Sequence, residues 1–272
     1  MDDLSRCAIH TITTKPWPFE TALDKYAEAG IKAVSVWKES IAGIEPARAA
    51  RLLAERGLAS ISMVRGGFFP AVDPGERKRR IEDNLALIRA TAELEAHMLV
   101  LVCGADPRVP LRTARDQVFA GMEAILPEAE KYGIRLAVEP LHPMYADVRS
   151  VVNTMKQAND LCLRLAHPLA GVAVDVYHVW WDPDLEIEVA RCGAMDKIFA
   201  FHVCDWRSPT LDMLNDRGLM GEGCIDIPFI RSLVEKAGFS GFVEVEIFSD
   251  RLWAMDQDEF LGKIVKAFKE HV

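Results

Sequence analysis

Hydrophobic positions along this chain alternate between two periods. Short, nearly continuous apolar runs occur at Cys7–His10, Ala33–Trp37, 59–64, 98–103, 134–139, 171–175, Ile198–Val203 and 241–249. Runs of this length without polar alternation predict parallel strands covered on both faces. Longer amphipathic stretches lie between them, at 19–29, 45–56, 75–95, Leu111–Tyr132, 150–165, 185–192, 227–237 and 258–270, and these predict helices. Gly30 and Gly57 directly follow two of them, as helix stops do. Eight strand–helix units with no Ser/Gly-rich spacer predict one α/β domain over residues 1–272, closed as a (β/α)8 TIM barrel. A doubly wound open sheet is the competing arrangement, but no GxGxxG turn follows the first strand.

The last predicted strand breaks its own pattern. Gly241-Phe242-Val243-Glu244-Val245-Glu246-Ile247-Phe248-Ser249 carries two carboxylates where a buried strand should carry none. An unpaired ionised glutamate is too costly to bury, so a metal ion, an Arg or a Lys must stand beside it. Three earlier strands also end in polar residues: Glu139, Asp175 and His202. With Glu246 they come from four successive strands, on the face where barrel enzymes carry their sites. Three carboxylates and one imidazole make an oxygen-rich ligand set. It favours Mn²⁺, Mg²⁺ or Co²⁺ over a closed, thiolate-rich structural zinc site. Glu244, two residues before Glu246, shares its face one layer deeper, and Arg135 is in the same phase as Glu139. An Arg135–Glu244 pair inside the barrel is therefore expected.

Composition narrows the partners. With 32 basic and 41 acidic residues the net charge is −9, which argues against a nucleic-acid surface but leaves room for a small anion held by local arginines. The six cysteines form no CxxC pair and sit in apolar segments, as reduced cytosolic cysteines do. The acidic start Met1-Asp2-Asp3-Leu4-Ser5-Arg6 leads into no long apolar run, so no leader is expected. No stretch of about 20 apolar residues occurs either, which leaves a cytoplasmic protein without a membrane span as the expectation. His142, in Glu139-Pro140-Leu141-His142-Pro143-Met144-Tyr145, stands three residues past a proposed ligand and is a candidate general base near neutral pH. Trp37, Phe68 and Phe69 follow the second and third strands, and Trp180, Trp181 and Trp206 follow the sixth and seventh, as aromatic walls for a small-molecule pocket. Arg65-Gly66-Gly67 offers backbone N–H groups to an oxyanion.

The motifs Ala137-Val138-Glu139-Pro140, Val174-Asp175-Val176-Tyr177-His178, Phe201-His202-Val203-Cys204-Asp205, Arg217 followed by Gly221-Glu222-Gly223, and Val245-Glu246 resemble those of the xylose-isomerase-like TIM barrels, the sugar phosphate isomerase/epimerase superfamily. The resemblance implies one divalent metal, Mn²⁺ first and Mg²⁺, Co²⁺ or Zn²⁺ as alternatives, held by Glu139, Asp175, His202 and Glu246. It implies that Glu139 and Glu246 also exchange a proton with the carbon beside a sugar carbonyl, through an enediolate. His178 and Arg217 then match contacts to the substrate, and Trp37, Phe68 and His10 complete the expected substrate-binding set. The run Glu-Pro-Leu-His-Pro is also similar to the large subunits of C-glycoside deglycosidases. That implies an alternative, a metal-dependent lyase on 3-keto-glycosides with His142 as base and a small partner subunit. Homo-oligomers are common in the superfamily. The AP-endonuclease branch would want extra histidines after strands three and four, where this chain has Arg65-Gly66 and Cys103-Gly104. A non-catalytic sugar-binding barrel is the remaining alternative.

Overall fold

The computed structural model describes residues 4–272. Met1, Asp2 and Asp3, half of the acidic start that argued against a leader, lie outside the described residues. The barrel strands are β1 (Cys7–His10), β2 (Ala33–Trp37), β3 (Ala59–Gly67), β4 (Met98–Val102), β5 (Arg135–Glu139), β6 (Ala170–Asp175), β7 (Ile198–Val203) and β10 (Val243–Val245). They close in the order β1-β10-β7-β6-β5-β4-β3-β2, and every pairing is parallel. A short antiparallel ribbon, β8 (Asp205–Trp206) with β9 (Arg217–Gly218), stands between β7 and β10 in the chain. The principal helices are α1 (Phe19–Glu28), α2 (Pro46–Glu55), α3 (Pro74–Glu93), α4 (Leu111–Tyr132), α5 (Met155–Leu165), α7 (Leu185–Ala194), α8 (Ile227–Lys236) and α10 (Gln257–His271). Two single turns, α6 (Val176–Val179) and α9 (Asp250–Trp253), follow β6 and β10. Among the described residues no helix is long and apolar enough to cross a membrane.

The strands read as continuous apolar runs because each is buried on both faces. Leu99, Leu101, Leu136, Val138, Val172, Val174, Val243 and Val245 point outward into the large core shared with the helices. Their neighbours point into the barrel, where Val100, Ala137, Ala173 and Ala200 pack in one small cluster. Two residues further along the same strands the inward positions are Val102, Glu139, Asp175 and His202. The strand period of two thus delivers small apolar residues to the middle of the barrel and charged ones to its carboxyl-terminal end. Register completes the gathering: Val102 stands opposite Glu139, Asp175 opposite His202, and His202 opposite Glu244.

Several expected boundaries move. The last strand shrinks to Val243–Val245, although the Glu246 amide still donates to the Val203 carbonyl (3.1 Å). The helix expected over 150–165 starts only at Met155, where the Thr154 side chain caps it by accepting from the Gln157 amide. Residues 150–154 instead brace the loop after β5: Asn153 Nδ2 donates to the Leu141 and Ser150 carbonyls. The third strand runs on to Gly67, past the expected end at 64.

The Arg135–Glu244 pair does not form. Arg135 occupies the opening register position of β5, at the amino-terminal mouth, where its exposed side chain lies over the Phe199 ring (5.1 Å). Being in phase put it on the inward face, but at the open mouth, a layer below the charge it was meant to neutralise and turned to the Phe199 ring.

Candidate active site

The structure brings Glu139, Asp175, His202 and Glu246 together at the carboxyl-terminal end of the barrel. One ligand atom from each lies within 4.8 Å of all the others, and all four side chains are buried. His202 Nδ1 is 3.1 Å from Glu139 Oε1, on the side of the quartet. Its Nε2 is buried without a hydrogen-bond partner and faces Glu244 Oε2 at 3.6 Å. A histidine with one nitrogen turned to a carboxylate cluster and the other turned to a backing carboxylate is the arrangement metal-ligating imidazoles use. The donor set therefore fits a divalent ion on its chemistry: three carboxylate oxygens and one imidazole nitrogen, converging in a buried, acid-rich site.

Below the quartet, His10 binds both glutamates of the last strand. Its Nε2 is 3.0 Å from Glu244 Oε2 and its Nδ1 3.0 Å from Glu246 Oε1. Trp37 Nε1 also lies 3.1 Å from Nδ1, where it can donate only when that nitrogen carries no proton. Burial alone would push the His10 pKa down, but Glu246 and Glu244 outweigh it and the pKa is raised. Ser35 Oγ donates to Glu244 Oε2 (2.5 Å). The Glu244 pKa is lowered: burial opposes ionisation, and His202, His10 and Ser35 outweigh it. The positive partner that a buried glutamate demands is thus an imidazole pair, not Arg135.

Arg217 reaches the quartet from the ribbon. Its Nη1 donates to Glu246 Oε2 (2.8 Å) and Asp175 Oδ2 (3.1 Å), and its guanidinium lies over the rings of Tyr177 (4.4 Å) and Phe248 (4.9 Å). The local sequence explains how it is held. The Asp205 carboxylate accepts from the amides of Trp206, Gly221, Gly223 and Ile225 at 2.8–3.0 Å, folding 221–225 around the ribbon. Gly223 has to be glycine there, because a Cβ would stand 2.1 Å from the Trp206 carbonyl oxygen. Burial holds the Asp175 pKa up at about 7, with Arg217 opposing and Glu246 and Glu139 adding to it. For His202 burial lowers the pKa, but the surrounding glutamates raise it to about 10. Burial, then Arg217, push His178 well below the ordinary value, so its ring is neutral. His178 Nδ1 faces the His142 amide (3.3 Å), and its Nε2 stands 3.3 Å from Arg217 Nη2 and 3.6 Å from Asp175 Oδ2.

A narrow cavity of about 10 Å³, room for about one water, opens above these residues. Glu139, Glu246, His178, Arg217 and Trp37 all line it, as do Tyr145 and Arg149. The remaining predicted residues stand elsewhere. His10 is fully buried beneath Glu246. Phe68 packs with Val102, Leu141 and Tyr145. His142 has its ring against Trp206 (5.0 Å) and Trp181 (5.5 Å), its Nδ1 accepts from the Met144 amide, and burial lowers its pKa. Trp180 and Trp206 pack on each other (5.6 Å), away from the cavity lining. Phe69 is no wall: it is buried in the main core, so close to α4 that a Cβ on Gly121 would meet its ring at 2.3 Å. Of the expected backbone oxyanion site, the Gly67 amide is already committed to Asn84 Oδ1 (2.6 Å), and the next amide, that of Phe68, donates to the Val102 carbonyl (2.8 Å).

Sequence reasoning missed Arg149 and Tyr145 as cavity residues. Tyr145 closes the segment 139–145 already singled out, and Arg149 is the next cation after it. Proximity in sequence to Glu139 was the one available signal.

Comparison with known proteins agrees with this architecture. The family model described as "Xylose isomerase-like TIM barrel" matches residues 23–270. An inosose isomerase of Bacillus licheniformis is 29% identical over 134 residues, 48% of this chain and 46% of that protein, so the chain spans about half the length of the curated relatives it matches. A crystal structure of a protein from Sinorhizobium meliloti 1021 superposes with a TM-score of 0.95 at 44% identity, covering 98% of both chains. A crystal structure of IOLI protein with a binding zinc atom superposes with a TM-score of 0.85 at 19% identity, over 97% of this chain and 96% of its own, which speaks for the fold. With eight parallel strands closed into a barrel and a family model matching nearly its whole length, the chain belongs to the xylose isomerase-like TIM barrel family.

Proposed function

We propose that this protein is a divalent-metal-dependent isomerase or epimerase of a small keto-sugar or keto-polyol, working by proton abstraction next to the carbonyl, and that its 272 residues act as one domain. The observation that carries the reading is the convergence of Glu139, Asp175, His202 and Glu246 within 4.8 Å, with Glu139 and Glu246 both lining one cavity. The likeness to inosose isomerases supports a polyhydroxylated ketone as substrate.

A divalent ion held by those four residues, Mn²⁺ in this proposal, would polarise the carbonyl and its neighbouring hydroxyl and lower the pKa of the C–H between them. The chain's own groups do the rest. Glu139 and Glu246 stand at the two ends of the ligand arc, so one carboxylate takes the proton and the other returns one to the enediolate. Arg217 holds Glu246 and Asp175 in place and offers its remaining N–H groups to substrate oxygens. His178, neutral and within reach of Arg217 Nη2 (3.3 Å), fixes a hydroxyl. Trp37, Leu141, Leu214 and Phe248 keep water from the reacting carbon. Because the cavity is narrow, a sugar displaces lining side chains as it enters.

The test is deuterium exchange from D₂O into the carbon beside the carbonyl, followed by NMR on a panel of ketoses and inososes with added Mn²⁺. Exchange is expected with wild type and is expected to stop with chelator. Glu139→Gln and Glu246→Gln should each slow it by about 10²–10⁴-fold. Exchange that persists through chelation and through both substitutions would sink the proposal.

A further inference from the structure

Two arginines, one lining this cavity and one against the Trp37 ring that lines it, have no acid to answer them. Arg149, from the loop after β5, lines the cavity and lies over the Tyr145 ring, 5.5 Å from its centroid. Arg65, near the end of β3, stands against the rings of Trp37 (5.4 Å) and Phe68 (5.1 Å), and its Nε is buried without a hydrogen-bond partner. Among the described residues neither pairs with a carboxylate. Arg217, by contrast, is already committed to Asp175 and Glu246. Elsewhere this acid-rich chain pairs its arginines readily, as in Arg56–Asp24, Arg89–Glu128 and Arg191–Asp160.

Leaving guanidinium groups partly buried and unpaired is costly. Keeping two of them near each other adds repulsion: burial, then the charge of Arg65, push the Arg149 pKa down. The aromatic faces of Trp37, Phe68 and Tyr145 hold both cations by ring contact, which fixes them without using their N–H donors. A planar donor fork held this way matches a carboxylate or a phosphate. The Gly67 and Phe68 amides nearby cannot serve, since both are already bonded.

We propose that the substrate carries an anionic substituent, a carboxylate or a phosphate, that docks at Arg65 and Arg149 while its carbonyl end faces Glu139 and Glu246. The inference rests on the keto-sugar reading of the site and sharpens its substrate class to acidic or phosphorylated keto-sugars.

The test compares D-fructose, D-fructuronate and D-fructose 6-phosphate by calorimetric titration of the full chain supplied with Mn²⁺. At least one anionic ketose is expected to bind about tenfold or more tighter than D-fructose, the scale of a charge-assisted contact, and the larger advantage tells carboxylate from phosphate. Arg65→Gln and Arg149→Gln are each expected to cut that advantage to under about twofold, and Arg149→Lys to keep part of it. An advantage arising only from the anion's grip on the metal would survive both glutamine variants and would overturn the proposal. Equal affinity for all three sugars, or no measurable binding of either anion, would overturn it too. Solvent-proton exchange is read separately: a protein that prefers anions but exchanges no proton loses the enediolate reading and keeps this one, and the opposite pair of results removes only this one.

Discussion

Glu244 is the residue that ties the site to the barrel beneath it. It lies in the layer below Glu246, accepts from Ser35 Oγ, and faces His10 Nε2 at 3.0 Å and His202 Nε2 at 3.6 Å. It therefore orients one proposed ligand directly, His202, and a second, Glu246, through His10. Carboxylates backing a ligating histidine typically govern metal affinity by 10–100-fold. Glu244→Gln keeps the shape and removes the charge, so it should weaken Mn²⁺ binding by about that factor, with the fold intact by circular dichroism. Titration of metal into the apo variant checks this. Unchanged affinity would mean that His10 and His202 need no charge behind them. Glu246 and Glu139 could be picked from strand position alone. Glu244's job could not, because the imidazoles that answer it come from β1 and β7, far away in sequence.

At the scale of elements, β3 carries the site's edge. It runs past its apolar core to Gly67, which adopts φ 101° and lies against β4. A Cβ at Gly67 would stand 2.0 Å from the Val102 carbonyl oxygen, a backbone atom that cannot turn aside. Gly67→Ala should therefore destabilise the protein by about 3 kcal/mol or more, from left-handed strain and collision together, measured by urea unfolding. It should also displace Phe68, against which Arg65 rests. A stability loss under about 1 kcal/mol would show that the β3–β4 end can spread. The apolar run 59–64 announced the strand but not its continuation, because Arg65-Gly66-Gly67 looks like a turn. What makes it strand is the pairing of Gly66 with Leu101 and of Gly67 with Val102.

For the whole molecule, the proposed metal site would link acidity to ion uptake. In the metal-free chain burial holds Asp175 up at about 7, while the neighbouring glutamates, against the effect of burial, hold His202 up at about 10. An ion needs the Asp175 carboxylate ionised and a bare His202 nitrogen, so it competes with both protons below about pH 7 and with the His202 proton alone above it. Affinity should rise with pH from 6 to 8, more steeply in the lower half, with a matching fall in protons released. Calorimetry in two buffers of different ionisation enthalpy measures those protons directly, and uptake without proton release would contradict the coupling. Because the ion binds only the folded barrel, Mn²⁺ at about 100 times its Kd should add about 2.7 kcal/mol of stability, removed again by chelator and visible as a fall in Tm.

The amino-acid order determined the eight strand–helix units, and with them the barrel. A strand covered on both faces must be apolar throughout, and such runs cannot be hidden. The same logic exposed Glu139, Asp175, His202 and Glu246, since a polar residue at the end of an apolar run has few reasons to be there. Only the tertiary structure decided depth and partnership. Arg135 had the right phase for Glu244 but the wrong layer, because phase sets a face of the sheet and not a height in the barrel. His10 looked like a substrate contact and lies sealed between two glutamates. Arg149 carried no periodic signal at all, since a loop residue's position is set by what braces the loop, here Asn153 bonding back to the Leu141 and Ser150 carbonyls. Period and burial are written along the chain, whereas charge pairing depends on distances that exist only once the barrel has closed.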